Sequence, residues 1–145
     1  VLQSLRSLTK GRLICVFGAG GNRDSGKRQA MGHVVETLAD IAVITTDNPR
    51  NEDPFAIIHD ITQGITDKRQ VHCEPDRRKA IQTSLQIASA GDIVLIAGKG
   101  HETYQMVGTT HLDFDDRKVV QEEILSLPSN SSPDNHSNRP MLEVI

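Results

Sequence analysis

Aromatic side chains are nearly missing from this chain, which has no tryptophan, a single tyrosine (Tyr104) and three phenylalanines in 145 residues. Its 16 Lys and Arg are outnumbered by 19 Asp and Glu, leaving a net charge of −3. With few rings to stack on bases and no basic surplus to neutralise phosphates, nucleic acid is not expected as a partner. Cysteine is equally scarce. Cys15 and Cys73 stand far apart with no CxxC or Cys/His ligand spacing, so a reduced, cytoplasmic compartment fits. His33, His59, His72 and His111 show no ligand spacing either, and no metal site is expected. No apolar run approaches the roughly 20 residues that a membrane-spanning helix needs, so no membrane partner is expected. The chain begins at Val1 without a basic and apolar leader, and it is expected to be an excised piece of a longer polypeptide. Sequon-type triplets at Asn130 and Asn135 lie in a Ser/Asn/Pro-rich tail, where they arise easily by chance.

What is present is enough for one domain with a real core, at 37% hydrophobic and 24% charged residues. Leu2, Leu5 and Leu8 repeat at helical spacing before Gly11 and predict a helix over 1–9. Residues 13–17 form a short, continuous apolar run, the pattern of a parallel strand buried on both faces. A glycine-rich turn follows, then Met31, Val34, Val35 and Leu38 mark one face of a helix over 27–39. The same rhythm recurs with a strand at 41–45 and a helix at 54–64, where Pro54 suits a first turn. It recurs again at 70–73 and 76–90, and then comes a strand at 93–97. Beyond Gly98, residues 103–107 and 111–114 read as a hairpin and 115–127 as a closing helix. The domain is thus expected to occupy 1–127. Residues 128–145 lack periodicity and are expected to form a disordered tail.

Strands separated by helices imply an α/β fold: a Rossmann-like, doubly wound, mostly parallel sheet, here with a C-terminal antiparallel hairpin. Ligands of such sheets sit beyond the carboxyl ends of the strands. Three loops with unusual chemistry leave that edge, at 18–28, 46–53 and 98–102.

In the first loop, Gly21-Asn-Arg-Asp-Ser-Gly26-Lys27-Arg28 nearly matches the phosphate loop GxxxxGK[ST], in the right strand-to-helix context. Arg28 stands where a hydroxyl would ligate magnesium, so the full nucleotide-binding reading fails. Two readings stay open. The turn favours an anion, with Arg23, Lys27 and Arg28 adding charge, or its glycines only reverse the chain while the cations face water. In the second loop, Arg50 offers a rigid fork for a carboxylate, Asn48 a mixed donor and acceptor, and Asp47 an anion for an ammonium group. Together they suit a zwitterion, although an Asn48-Pro49 turn with solvated flanks is the plainer alternative. In the third, Gly98 and Gly100 let backbone approach a ligand, and Glu102 is a second ammonium acceptor. His101 can serve as acid or base, or simply as a structural hydrogen-bonder. Asp76-Arg77-Arg78 opens a helix, with Asp76 as cap and the arginines expected on a solvated face.

Phe17-Gly-Ala-Gly-Gly-Asn-Arg-Asp-Ser-Gly-Lys-Arg28, Asp47-Asn-Pro-Arg50, Glu74-Pro-Asp-Arg-Arg78, Ala97-Gly-Lys-Gly-His-Glu102 and Phe114-Asp-Asp-Arg117 follow one another in this chain. In that order they resemble the C-terminal domain of the Mur ligases, above all the members that add diaminopimelate. The resemblance covers nearly everything from Val1 to Leu127. It implies an ATP-dependent amide ligase of peptidoglycan synthesis: ATP phosphorylates the D-glutamate carboxylate of UDP-MurNAc-L-Ala-D-Glu, and an amine of meso-diaminopimelate attacks the acyl phosphate. In that family the last domain receives the incoming amino acid. The contacts carry over to Arg23, Asn48, Arg50, Gly98 and Glu102, with Asp47 and Pro49 completing the Asp-Asn-Pro-Arg signature of diaminopimelate rather than lysine. Asp24, Lys27 and His101 are further candidates at the margin, and no catalytic residue is assigned.

The family's phosphate loop and magnesium ligands belong to a central domain, and the uridine nucleotide to an N-terminal one. ATP and Mg2+ are therefore expected to be bound mainly outside these residues, as is an Asp-Tyr-Ala-His-type segment normally found just upstream. The chain by itself is expected neither to hydrolyse ATP nor to form the amide, and turnover by the purified chain, abolished by Arg50→Ala, would show otherwise. A lysine-adding or folylpolyglutamate-type ligase domain and a stand-alone amino-acid-binding module are the alternatives.

Overall fold

The computed structural model describes residues 1–128 and 139–145. Strands and helices alternate as α1 (Leu2–Leu8), β1 (Leu13–Phe17), α2 (Gly26–Leu38), β2 (Ile41–Ile44), α3 (Pro54–Thr62), β3 (Val71–Cys73), α4 (Arg77–Ile87) and β4 (Ile93–Ile96). There follow β5 (Tyr104–Val107), β6 (Thr110–Asp113), α5 (Asp116–Ser126) and β7 (Met141–Val144). Five strands form one all-parallel sheet in the order β3-β2-β1-β4-β7. The doubly wound α/β fold expected from the alternation is what forms.

Every residue of β1, β2 and β4 is buried, because helices cover both faces of the sheet. Strand alternation splits the core in two. Leu13, Cys15 and Phe17 join Ile44 and Leu95 beneath residues of α1, α2 and α3, such as Leu5, Val35 and Ile61. Ile14 and Val16 join Val43, Val94 and Ile96 on the other face, beneath Ile81 and Leu85 of α4 and Val119 and Val120 of α5. Three helices start at aspartate caps: Asp53 accepts from Phe55 N, Asp76 from Lys79 N and Asp115 from Arg117 N.

The antiparallel hairpin forms as expected, β5 and β6 making a separate two-stranded sheet. One sequence expectation needs correction. The tail expected over 128–145 is ordered at its end: β7 pairs with β4 in the register Ile93↔Met141 to Ile96↔Val144. Leu142 and Val144 pack on the α4/α5 side of the core and Ile145 on the other. Four residues are too few for a periodic pattern, and the bonds that order them come from a distant strand. The remainder of that expectation, over 129–138, lies outside the described residues.

Asp92 pins the amino ends of the two central strands. Its carboxylate accepts from Arg12 N at 2.8 Å, Arg12 Nη2 at 2.7 Å and Ser89 N at 2.9 Å. Burial alone would raise this carboxyl, but the bonds from the Arg12 side chain and from the two backbone amides outweigh it and hold it below its ordinary value. A depressed native value means the unfolded state binds the proton more tightly. The contribution is therefore present above a pH of about 4 and is lost as pH falls through the depressed value. Thermal melts of Asp92→Asn against the parent should differ most near neutral pH and converge in strong acid.

Candidate functional site

The chain order reverses at β1, with β2 and β3 on one side and β4 and β7 on the other. The carboxyl ends around β1 are therefore the topological switch point, where open α/β sheets bind ligands. The loops after β1, β2 and β4 meet there.

Close approach of backbone makes this meeting possible. A Cβ on Gly21 would lie 1.8 Å from Pro49 O, and one on Gly18 2.3 Å from Thr45 O, so only glycine fits at either place. The contact is sealed by Gly21 N donating to Asn48 O at 2.7 Å. Arg23 and Arg50 consequently flank the same residue: a Cβ on Gly20 would sit 3.0 Å from Arg50 Nη1 and 3.4 Å from Arg23 Cγ.

Arg50 adopts φ 52°, in the left-handed region that favours glycine. Its backbone is held there by the hairpin, Arg50 N donating to Met106 O at 3.1 Å and Gly108 N to Arg50 O at 2.7 Å. Nη1 donates to Gly21 O at 2.9 Å. The other donors of the fork, and the whole exposed guanidinium of Arg23, have no protein partner among the described residues.

Across the loops lies a group of opposite charge. Asn48 is buried, and its Nδ2 donates to Glu102 Oε2 at 2.9 Å while its Oδ1 accepts from Met106 N at 2.9 Å. Lys99, also buried, stands 3.3 Å from Asp47 Oδ1 and 3.8 Å from Glu102 Oε2. Gly98 adopts φ 118°, and a Cβ there would lie 3.9 Å from Asp47 Oδ2. Burial pushes the Asp47 carboxyl up, the Lys99 ammonium and the charge of Arg77 pull it down, and Glu102 adds to the rise; the net direction is upward. Pro49 is buried at the seam between the first two loops.

The structure thus gathers Arg23, Asp47, Asn48, Pro49, Arg50, Gly98 and Glu102 at one edge. The marginal candidates are placed differently. Asp24 Oδ1 accepts from Gly26 N at 2.9 Å, at the start of α2. Lys27 is exposed on the first turn of that helix, and His101 is exposed with Nδ1 3.4 Å from Arg117 Nη2.

Three charged residues depart from their sequence reading or escaped it. Arg28 is buried and already paired: Nη1 donates to Asp60 Oδ2 at 2.9 Å and Nη2 to Glu52 Oε1 at 3.0 Å. Its charge is spent, and the Asp24 carboxylate already faces the amino end of α2. A nucleotide triphosphate with its magnesium does not fit this loop, and neither open reading of the turn holds for Arg28. Arg77, expected on a solvated face, lies inside the fold on Asp116. Lys99 is buried with no role assigned to it by its sequence context. Its signal in the sequence is a cation between two glycines just after a fully buried strand.

The switch point of this open parallel α/β domain thus brings together two arginines and two acidic residues from three loops. The chain belongs to the Mur ligase family: the family model described as "Mur ligase, glutamate ligase domain" matches residues 1–100. A relative from Prochlorococcus marinus (strain NATL1A), named UDP-N-acetylmuramoyl-L-alanyl-D-glutamate--2,6-diaminopimelate ligase, is 53% identical over 119 residues, covering 82% of this chain and 23% of its own length. One of the same name from Aquifex aeolicus (strain VF5) is 51% identical over 122 residues, covering 84% and 25%. A solved structure of a ligase of that name matches with a TM-score of 0.80 at 43% identity, covering 86% of this chain and 26% of its own. The chain thus spans about a quarter of the length of the relatives it matches.

Proposed function

We propose that residues 1–127, with the returning strand β7, form the amino-acid-receiving domain of an ATP-dependent ligase. That ligase adds meso-diaminopimelate to UDP-MurNAc-L-Ala-D-Glu in cytoplasmic peptidoglycan synthesis, a reading supported by the names of the relatives, which join 2,6-diaminopimelate to UDP-N-acetylmuramoyl-L-alanyl-D-glutamate. The observation that carries the reading is the convergence of Arg23 and Arg50 on Gly20, with Glu102 tied to the same loop through Asn48.

One end of meso-diaminopimelate must be left free for attack on the activated glutamyl carboxylate. The other is a zwitterion that the protein can grip. Unspent guanidinium donors match its carboxylate, and the partly exposed Glu102 matches its ammonium. This grip orients the nucleophilic amine without touching it. ATP and Mg2+ are held by parts outside this chain in this reading, and no residue here is assigned to the chemical step.

Lysine lacks the distal carboxylate, so binding it would leave the two guanidiniums facing an empty place, at a cost of roughly 1–3 kcal/mol. Substrate kinetics on the full-length ligase test the reading. The kcat/KM for meso-diaminopimelate should exceed that for lysine by about tenfold or more. Equal values would overturn it.

A further inference from the structure

Lys99 is an enclosed cation at the site, with a side chain only 1% exposed. An ammonium removed from water needs an acceptor for each of its three N–H groups. Lys99 Nζ donates to Tyr104 O at 2.8 Å and Asn48 Oδ1 at 3.1 Å, and Asp47 Oδ1, which has no other partner among the described residues, lies 3.3 Å away as an ion pair outside hydrogen-bond geometry. These acceptors come from the loop after β2 and from the first residue of β5, so one ammonium ties both to the loop after β4.

Asn48 passes the arrangement on. Its Oδ1 receives both Lys99 Nζ and the backbone amide of Met106, two groups that can only donate, so the amide orientation is fixed. Nδ2 is thereby committed to Glu102 Oε2 at 2.9 Å. The two carboxylates end up unlike each other: the Asp47 side chain is 14% exposed and faces Lys99, whereas Glu102 is 38% exposed. Two carboxylates against one ammonium leave the cluster one net negative charge.

Resting on the reading under Proposed function, we infer that Lys99 is a positioning residue for the incoming amino acid. It is an internal ammonium that takes Asp47 as its own counter-ion and, through Asn48, aims the Glu102 carboxylate at the ammonium of the substrate. Asp47 then acts through Lys99 and not on the ligand. The groups facing Asp47 are Lys99, Arg77 and Glu102. Without Lys99, burial and Glu102 would be opposed by Arg77 alone, and Asp47 would hold its proton to higher pH.

The test is a double-mutant cycle with two readouts. In the full-length ligase, Lys99→Met should raise the KM for meso-diaminopimelate about tenfold or more, since Glu102 loses its orientation beside a second, uncompensated carboxylate. Asp47→Asn should also raise KM, because the cluster loses its net negative charge. Lys99→Met/Asp47→Asn restores that charge but not the hold on Asn48, so it should recover part of the loss of Lys99→Met while its KM stays above that of the parent. The second readout needs no ligand: in the 145-residue chain, the carboxyl carbon resonance of Asp47 should titrate at a higher pH in Lys99→Met than in the parent. A double variant no better than Lys99→Met, or an unmoved Asp47 titration, overturns the inference. Equal use of lysine and meso-diaminopimelate by the parent would instead overturn the functional reading, with the Asp47 shift still deciding the role of Lys99.

Discussion

Replacing Arg50 by alanine in the full-length ligase is expected to raise the KM for meso-diaminopimelate by roughly 10- to 150-fold, the worth of a charge-assisted hydrogen-bonded contact of about 1.5–3 kcal/mol. The free donors of Arg50 are held in place by two constraints, the bond from Nη1 to Gly21 O and the backbone pairing with β5 and the following turn. The second of these holds Arg50 at φ 52°, which a non-glycine residue adopts at a cost of about 1 kcal/mol or more. Arg50→Gly separates the two contributions. It relieves the backbone and removes the guanidinium, so it should melt no lower than Arg50→Ala while binding meso-diaminopimelate as weakly. Arg50→Lys keeps a charge but not the planar fork and should fall in between. The decisive quantity is discrimination. Lysine never engages the fork, so its kcat/KM should move little, and the preference for meso-diaminopimelate should shrink toward unity. A preference that survives Arg50→Ala would mean that the fork points elsewhere.

Sequence and structure agree where the physics is local. β1, β2 and β4 are covered by helices on both faces, and they read as unbroken apolar runs for that reason. Asp53, Asp76 and Asp115 stand one residue before their helices and announce them. The strand-helix alternation is enough to bring three loops to one edge, because parallel crossovers leave little choice of topology. The disagreements are all long-range. β7 is ordered by its ladder to β4 and not by its own composition. Arg28 finds Glu52 and Asp60, 24 and 32 residues away, and so becomes part of the scaffold beneath the loop that carries Arg23. Lys99 meets Asn48 at a separation of 51 residues. A charged residue is legible in sequence as a charge; whether it is spent inside the fold depends on partners that only the closed structure brings near.

Arg77 makes that dependence measurable. Its side chain is fully buried, with 0% exposure against 3% for Asp116, and the two carboxylate oxygens accept from Nε at 2.8 Å and Nη2 at 2.7 Å. Arg77→Met is expected to cost about 3–5 kcal/mol, because it strands the Asp116 carboxylate away from water. For a domain of this size that is a fall in Tm of roughly 10 °C or more, measured by calorimetry. Replacing both partners, as Arg77→Met/Asp116→Leu, removes the stranded charge and should recover most of the lost stability. It should not recover binding. Arg77 also donates to Thr46 O at 3.3 Å and to Ala97 O at 3.1 Å, the carbonyls at the carboxyl ends of β2 and β4. The next residues along the chain are Asp47 and Gly98. One guanidinium therefore fixes the spacing of two of the three loops that meet at the site, a task that methionine and leucine cannot take over. The stabilised double variant is expected to keep a KM for meso-diaminopimelate well above that of the parent. If both Tm and KM return together, the buried pair serves stability alone, and the loops hold their spacing through the Lys99 and Asn48 bonds without it.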